Sequence, residues 1–495
     1  MLGLAVGLVM AAVGRARAFT VMAYNVENLV DADGKAVFED YRPPNYSRQH
    51  VLTKVQNIAR VLAQFEGGRG PDVIMFAEIE VDLTPAKAPL DYEAILHRYE
   101  GETIADMLGA KFDDEVADLP SEALLAKACA DRGMRGYHVI AADNILLADE
   151  ARLLAQKCVI FSRFPVKSVH VWPTTSARAI LEVQVDVDGA PLYLFDNHWK
   201  SGAGDAAMER VRVKNARTLR TRLDEILKAD PNADIIIGGD FNSQYNQSAR
   251  YAKTMTKTGL NDVLGSQGDE RAVRGPDRDL YNLWYELPAA QRGSDTYQGE
   301  WGTLMQLIIS RGLFDFRGVQ YVDGSFAVAK FKGLNMDAEG LPVRWNSAGP
   351  AGSGFSDHFP VVARFTTVAD GTANRYLPVK AKTPEASEPV GVPVDKSRID
   401  VEKLAVAIDQ LPAGAVLRSP EFQGKIIHVE GRVGHGTRLT VEFRGEVYDL
   451  WSFDAQLRKK LRDAYHTGDA IRFYGELGVY KEHWQFVIRD ESWVK

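Results

Sequence analysis

The feature that constrains the fold most is the alternation of apolar, strand-like runs with amphipathic helical stretches between Phe19 and about Phe365. Strands are predicted at 19–25, 73–77, 157–161, 180–185, 192–195 and 235–237. Residues 50–65 and 207–228 carry the apolar spacing of helices. Because a helix buries one face and a strand needs partners, this order predicts one large α/β unit, in which a two-layer sheet core is covered by helices on both outer faces.

The composition changes after this unit. Residues 366–394 are rich in Pro, Ala, Thr, Val and Lys, which is typical of a linker. A short helix is then predicted at 401–410, strands at 425–433, 438–443 and 447–453, a helix at 455–466 between Asp454 as its cap and Gly468 as its stop, and strands at 470–480 and 484–488. Three strands, a helix and two strands is the order of a five-stranded OB-type β-barrel. We therefore predict a large domain over 19–366, a linker over 367–400 and an OB-fold-like domain over 401–495.

The N-terminus has the pattern of an export signal. Residues 2–13 are almost wholly apolar, which is too short a run to span a bilayer as a helix. Ala16, Arg17 and Ala18 follow as a small-x-small cleavage site, so a signal peptide is predicted over 1–18 and the protein is expected in the periplasm or outside the cell, with no membrane insertion after cleavage. No Lys or Arg precedes the apolar run, which is atypical, and the alternative is an apolar tail before a buried first strand.

Composition narrows the class of protein. Hydrophobic residues make up 45% of the chain and charged residues 25%, which excludes a disordered, collagenous or multi-span membrane protein. The formal net charge of −8 gives no sign of nucleic-acid binding through bulk charge. Two cysteines, Cys129 and Cys158, are too few for a disulfide framework, and they are expected either to pair or to remain as buried thiols.

Five short polar segments follow strands of the large domain. They are 24–28, the strand 72–78 that ends in Glu78, 196–201, 237–243 and 356–360. Polar groups gathered at the carboxyl ends of strands are typical of an α/β active site. A cation such as Mg²⁺ prefers carboxylate oxygen, and Glu78 is the best single candidate ligand. His198 and His358 can move protons near neutral pH, and together these groups suit the hydrolysis of a phosphodiester.

The same segments resemble a known family. Asn25, the strand ending in Glu78, Asn197-His198, Gly239-Asp240-Phe241-Asn242 and Ser356-Asp357-His358 resemble the endonuclease/exonuclease/phosphatase superfamily over nearly all of residues 19–366. The resemblance implies a four-layer α/β/β/α sandwich like deoxyribonuclease I, with divalent-metal phosphoesterase activity. Residues 24–29 and 197–201 are similar to bacterial extracellular nucleases of that superfamily, so nucleic acid, DNA ahead of RNA, is the expected partner, and no protein partner is indicated.

The resemblance also implies a role for each matching residue. Glu78 would hold the metal with Asn25 and Asp357, with Mg²⁺ expected and Mn²⁺ or Ca²⁺ as alternatives. His358 would be the general base, and His198 would act on the phosphate or the leaving group. Binding and orientation of water, phosphate or a second metal, and contacts to the substrate, would come from Asp240, Asn242, Arg178, Asn197 and Lys200.

One position departs from the family pattern. The family carries an aspartate that orients the catalytic histidine, and the matching stretch here, 302–310, has Met305 at that place. A thioether cannot hold an imidazole tautomer, and losing the carboxylate of a catalytic triad costs several orders of magnitude in rate. The alternatives are partial compensation by Gln306 and a local alignment that is shifted by one residue. Three functions therefore stay open: an exported, metal-dependent nuclease whose OB-type domain engages DNA or RNA, a lipid or small-molecule phosphodiesterase or phosphatase of the same superfamily, and a catalytically weakened nucleic-acid-binding protein.

Overall fold

The computed structural model describes residues 18–84, 90–142, 154–273, 279–297, 299–337, 339–368, 391–394, 401–406, 416–419, 422–436, 438–452, 454–480 and 483–495. Residues 1–17 of the predicted signal peptide and most of the predicted linker lie outside these residues. The first strand begins at Ala18, and the last strand of the large domain runs to Val368, two residues past the predicted domain end.

The strands of the described residues are, in chain order, β1 (Ala18–Leu29), β2 (Val73–Glu80), β3 (His138–Ala141), β4 (Gln156–Ser162), β5 (Val166–Trp172), β6 (Ile180–Val187), β7 (Ala190–His198), β8 (Ile235–Asp240), β9 (Ser266–Gln267), β10 (Leu280–Asn282), β11 (Asp295–Tyr297), β12 (Glu300–Gly302), β13 (Met305–Ile309), β14 (Gly318–Tyr321), β15 (Ala327–Val328), β16 (Val361–Val368), β17 (Val392–Pro393), β18 (Ile426–His435), β19 (Leu439–Phe443), β20 (Glu446–Trp451), β21 (Ala470–Tyr480) and β22 (His483–Val487). The six strands predicted for the large domain are all present.

The α-helices of the described residues are α1 (Arg48–Leu62), α2 (Tyr92–Arg98), α3 (Ile104–Leu108), α4 (Asp114–Ala117), α5 (Ser121–Ala130), α6 (Ala206–Ala229), α7 (Gln247–Arg250), α8 (Glu270–Val273), α9 (Val401–Leu404) and α10 (Ala455–Ala464). Side chains fix where the long ones begin. Ser47 and His50 form a capping box at the start of α1, and Asp205 accepts hydrogen bonds from Ala207 and Met208 at the start of α6.

Two mixed sheets form the large domain. The first has the order β14-β16-β1-β2-β4-β3, with β15 also paired to β16, and the second has the order β5-β6-β7-β8-β13-β10-β9. At the centre of the first sheet β1 and β2 run parallel, and at the centre of the second β7 and β8 run parallel. Polar segments that follow these four strands therefore collect at the sheet edge where each parallel pair ends.

The alternation of side chains along each strand explains the layers. On β1, Val21 and Ala23 pack with Leu194 and Ile236 of the second sheet, whereas Met22 and neighbours on that face pack against α1 and α5. The outer face of the second sheet packs against α6. The large domain is therefore the expected four-layer α/β/β/α sandwich.

The C-terminal region is the closed barrel expected from its element order. Its strands pair as β18-β19-β20-β22-β21, and β21 pairs back with β18. Asp454 caps α10, as predicted, but the helix ends at Ala464, before Gly468, which instead takes a positive φ in the turn to β21. The helix predicted at 401–410 is the single turn α9, and 407–410 lie outside the described residues.

Two further sequence expectations concern the cysteines and the membrane. Cys129 and Cys158 are buried free thiols, which was one of the two alternatives. In the part of the chain that the structure describes, no helix combines the length and apolar character of a membrane span.

Candidate active site

The two sheets bring their parallel strand ends together at one place. Asn25 near the end of β1 donates hydrogen bonds to Glu78 Oε1 and to Asp240 Oδ2, both at 2.9 Å, and so joins the first sheet to the second. Its own Oδ1 accepts from the backbone N–H of Glu27 at 2.9 Å. Asn25, predicted as a metal ligand, is thus placed with its amide NH₂ towards the two carboxylates and its oxygen turned away.

Local backbone irregularities position the acidic groups. Glu78 has a φ of 66° at a point where the register of β2 shifts against both neighbours, and its Oε2 accepts from Asn28 N at 3.0 Å. Gly239 has a φ of 119°, and a Cβ there would lie 2.0 Å from the carbonyl oxygen of Asn197. Glycine therefore allows β7 and β8 to approach closely, which sets His198 directly beside Asp240 in register.

Glu78, His198 and Asp240 form a candidate metal cluster. One ligand atom from each lies within 4.8 Å of the others, and His198 Nε2 is 3.9 Å from both Glu78 Oε1 and Asp240 Oδ2. Burial lowers the pKa of His198 well below its usual value, and the positive charges of Arg178 and His358 lower it further. A neutral imidazole beside two carboxylates is a donor set that suits a divalent cation. Of the three, the sequence assigned Glu78 to the metal and Asp240 to water, phosphate or a second metal.

His358 lies beside this cluster among carboxylates. Its Nε2 is 3.7 Å from Asp357 Oδ1 and 3.9 Å from Asp240 Oδ2, and its Nδ1 is 4.0 Å from Asp295 Oδ1. Burial lowers the pKa of His358, but the charges of Asp357, Asp240, Asp295 and Glu78 outweigh it and raise the value to about 9. Without a cation, the imidazole is therefore protonated at neutral pH.

The turn that carries His358 is attached to β1. Ser356 Oγ donates to the carbonyl oxygen of Asn25 at 2.7 Å and accepts from His358 N at 3.1 Å. A serine at this position therefore fixes the histidine relative to the strand that carries Asn25.

Asp295 is the site residue that the sequence did not reveal. It is buried, it forms a backbone bridge with His358, and its Oδ1 accepts from Ser294 Oγ at 2.9 Å and from Leu304 N at 3.1 Å. Met305, by contrast, lies buried on β13 opposite Asp240 and packs in the core between the sheets. The carboxylate that faces the imidazole Nδ1 therefore comes from β11. The only sequence signal was an Asp in a short segment without an apolar run.

The other residues predicted for the site do not all line the groove. Arg178 and Asn242 line the groove above the cluster, and Arg178 donates to Gln156. Asn197 is buried, donates to the carbonyl oxygens of Phe195 and Gly238, and accepts from Trp199 Nε1, so it contacts backbone and core. Lys200 is not among the residues that line the groove. Asp357 is at the groove edge, where Arg344 lies 3.5 Å from its Oδ2.

The cluster lies at the bottom of an open groove of about 1150 Å³. Its walls come from the segments after β7 and β8, from the hairpin of β11 and β12, and from Phe38 and Gly391. The groove is large enough for several residues or nucleotides of a polymeric ligand.

One family model matches part of this chain. Residues 154–367 match the model of the Endonuclease/Exonuclease/phosphatase family, a segment that includes His198, Asp240 and His358 but not Asn25 or Glu78. No curated protein matches the chain. Similar solved structures include SeMet TDP2 from Caenorhabditis elegans, 14% identical over 71% of this chain and 75% of that chain with a TM-score of 0.39. The endonuclease/exonuclease/phosphatase from Beutenbergia cavernae DSM 12333 is 15% identical over 71% of this chain and 72% of that chain, with a TM-score of 0.41.

Proposed function

We propose that this chain, whose residues 154–367 match the model of the Endonuclease/Exonuclease/phosphatase family, is an exported, divalent-metal-dependent phosphodiesterase that hydrolyses nucleic acid, DNA ahead of RNA. The observation that carries the proposal is the meeting of Glu78, His198 and Asp240 within 4.8 Å beside a buried histidine. Metal-dependent phosphoester hydrolysis uses anionic ligands that hold a cation and a positioned group that exchanges a proton, and the site offers both.

Each residue of the cluster has a distinct part in the proposed reaction. Glu78 and Asp240 would hold the cation, with His198 as a third donor, and Mg²⁺, Mn²⁺ and Ca²⁺ are all compatible with two carboxylates. When bound, the cation supplies positive charge that stabilises the phosphate oxygens as negative charge develops on them. Asn25 keeps the two carboxylates in place by donating to both.

His358 is the proposed general base for the attacking water. Asp295 faces Nδ1 at 4.0 Å, so Nε2 is left to exchange a proton on the side of Asp240. The base must be neutral, and the four carboxylates that raise the pKa of His358 include Glu78 and Asp240. Neutralising those two carboxylates lowers the pKa of His358 towards the pH at which it can accept a proton.

The position of Asp295 favours an active enzyme over the alternative of a catalytically weakened binding protein. That alternative arose because Met305 stands where the family has an aspartate. A carboxylate nevertheless lies 4.0 Å from His358 Nδ1, which is too far for a hydrogen bond but close enough for its charge to stabilise the imidazolium.

The test is cleavage of plasmid DNA, single-stranded DNA and RNA with Mg²⁺, Mn²⁺, Ca²⁺ or a chelator. We expect metal-dependent cleavage that Glu78→Gln and His358→Ala reduce by at least about 100-fold. Glu225→Gln is the matched control, because Glu225 is an exposed carboxylate on the outer helix α6, away from the groove. Metal-independent cleavage, or equal cleavage by Glu78→Gln, would exclude the proposed site.

A further inference from the structure

We infer that the loop 199–204 binds a phosphate of the substrate that neighbours the phosphate being cleaved, and that the buried Arg212 is the positioning residue that gives this loop its shape. The inference rests on the proposed phosphodiesterase function of the same groove. Its chemical basis is a row of backbone N–H groups along the groove that have no acceptor within the described structure.

The guanidinium of Arg212 holds the carbonyl side of this loop. Arg212 lies on α6, is fully buried, and donates from its Nε to Glu209 at 2.8 Å. Its Nη1 donates to the carbonyl oxygens of Lys200 and Gly202, both at 2.9 Å, and its Nη2 donates to that of Ala203 at 3.1 Å. One buried side chain therefore turns three carbonyl groups of the loop towards the interior.

Two buried amide side chains hold the same side of the loop. Asn242 Nδ2 donates to the carbonyl oxygen of Trp199 at 3.1 Å, and Gln247 Nε2 donates to that of Ala203 at 2.6 Å. The backbone N–H of Trp199 donates to the carbonyl oxygen of Asp240 at 2.9 Å. The loop is therefore attached at its start to a residue of the candidate metal cluster.

The N–H side of the loop faces the groove as a consequence. In a trans peptide, the C=O of one residue and the N–H of the next point in opposite directions. The N–H groups of 200, 201, 203 and 204 therefore point away from the buried side chains, and residues 201–204 line the groove. None of the N–H groups of residues 200–204 donates a hydrogen bond to another described residue. Successive N–H groups that point to one side bind an anion.

The charges around the loop are compatible with a phosphate. The carboxylate next to the loop is Asp205, and its Oδ1 already accepts from two N–H groups at the start of α6. The cations among the described lining residues are Arg178 and Arg250, and Arg250 is paired with Glu300. Backbone N–H groups bind phosphate oxygens without a charged side chain. The loop therefore supplies phosphate contacts that the side chains of this groove lack.

The loop lies beyond the metal cluster along the same wall. His198 belongs to the cluster, and the part of the loop that lines the groove begins three residues later, at Ser201. Three residues of chain span at most about 10 Å. A polymeric substrate whose cleaved phosphate lies at the cluster therefore brings a neighbouring phosphate to the loop, whereas an ester with a single phosphate does not.

Ala203→Pro removes one N–H of the row while preserving the turn. Asp205 N donates to the carbonyl oxygen of Gly202 at 3.0 Å, so Ala203 is the second residue of a turn, where Pro is favoured. Ala289→Pro is the matched control. Ala289 has the same place in the turn 288–291, which closes at 2.8 Å, and it is not among the residues that line the groove.

Binding is measured by ¹H–¹⁵N NMR on the full, metal-free chain, titrated with inorganic phosphate and separately with diethyl phosphate. We expect the amide signals of Ser201, Ala203 and Gly204 to shift together and to saturate with both anions. Ala203→Pro should weaken this binding by about ten-fold or more, because a hydrogen bond to a charged group contributes at least about that factor, and Ala289→Pro should not. Amide signals that do not move in the wild type, or that respond to inorganic phosphate alone, would overturn the inference.

Arg212→Lys tests the positioning role. Lysine keeps a positive charge beside Glu209 but lacks the planar fork that donates to three carbonyl groups. We expect the loop to bind both anions about ten-fold or more weakly, with hydrolysis of bis(4-nitrophenyl) phosphate within about two-fold of wild type. Unchanged affinity would overturn the role of Arg212.

Turnover separates this inference from the proposed function. An oligonucleotide has phosphates beside the cleaved one, whereas bis(4-nitrophenyl) phosphate has a single phosphate. We expect Ala203→Pro to lower kcat/KM for the oligonucleotide by about ten-fold or more and to leave that for the small ester within about two-fold. An equal loss on both substrates, or no loss on either, would overturn the inference and keep the proposed function. A wild-type protein without metal-dependent activity on either substrate removes the proposed function, and the phosphate titration then decides whether the loop binds an anion.

Discussion

Replacing Asp295 by Asn tests whether this carboxylate holds the catalytic histidine. The change preserves size and keeps an oxygen that can accept from Ser294 Oγ and Leu304 N, so we expect the fold to survive. It removes a negative charge 4.0 Å from His358 Nδ1. The experiment therefore isolates the electrostatic part of the pairing.

The size of the effect follows from the distance. Two unit charges 4.0 Å apart at an effective dielectric constant of about 20 interact by about 4 kcal/mol. Each 1.36 kcal/mol corresponds to about a factor of ten in rate, so an imidazolium that loses this interaction in the transition state costs about three orders of magnitude. We therefore expect kcat for a phosphodiester to fall by about 1000-fold in Asp295→Asn, with KM changed far less.

The assay is single-turnover cleavage with saturating metal, with the pKa of His358 measured by NMR in the metal-free protein. Asp295→Asn should lower that pKa from about 9, because Asp295 is one of the four carboxylates that raise it. Met305→Asp is the comparison: it places a carboxylate in the packed core between the sheets, and we expect lower stability without a gain in rate. A loss below five-fold in Asp295→Asn, or a ten-fold gain in Met305→Asp, would refute the reasoning.

Three other outcomes are expected. Gly302→Ala should lower activity nearly as much as Asp295→Asn, since a Cβ at Gly302 would lie 1.9 Å from Asp295 Oδ2 and displace the carboxylate; unchanged kcat would contradict this placement. Adding Mg²⁺ to the metal-free protein should lower the NMR pKa of His358 from about 9, because the cation neutralises carboxylates that raise it, and chelation should restore it. Asp196 is fully buried, and this burial raises its pKa well above the usual value, outweighing the backbone N–H groups of Asn197 and Val159 that lower it. The folded state therefore keeps a proton that the unfolded state releases above about pH 4, so stability is lost as pH rises, and Asp196→Asn should raise the free energy of unfolding more at pH 8 than at pH 5 in urea titrations.

The long helices and strands could be predicted from the sequence because long apolar patterns indicate which of their residues are buried. The central strands β1, β2, β7 and β8 are continuous apolar runs, and the barrel has a distinctive order of elements. The short strands β9 to β12 could not be predicted, because two or three residues carry no periodicity and their pairing depends on neighbours far along the chain.

The residues of the site also divide into those that a sequence pattern indicates and those that only the fold brings into place. Glu78, Asp240 and His358 could be named because each follows a strong strand or lies in a specific motif. Asp295 could not, since its role depends on the backbone bridge between β11 and His358. Asn197 is the opposite case. Its motif predicts a contact to substrate, but its amide NH₂ donates to the carbonyl oxygens of Phe195 and Gly238.

What the motifs could not show is that the two histidines differ in charge, with His198 neutral and His358 positively charged at neutral pH. Both lie in one groove and both contact Asp240 at 3.9 Å, yet burial with Arg178 nearby lowers the pKa of His198, while four carboxylates raise that of His358 to about 9. Neighbouring titratable groups whose pKa values are moved apart are typical of a division between an acid–base group and a ligand. The overall charge of −8 says nothing of this, since the chemistry depends on which carboxylates face which imidazole.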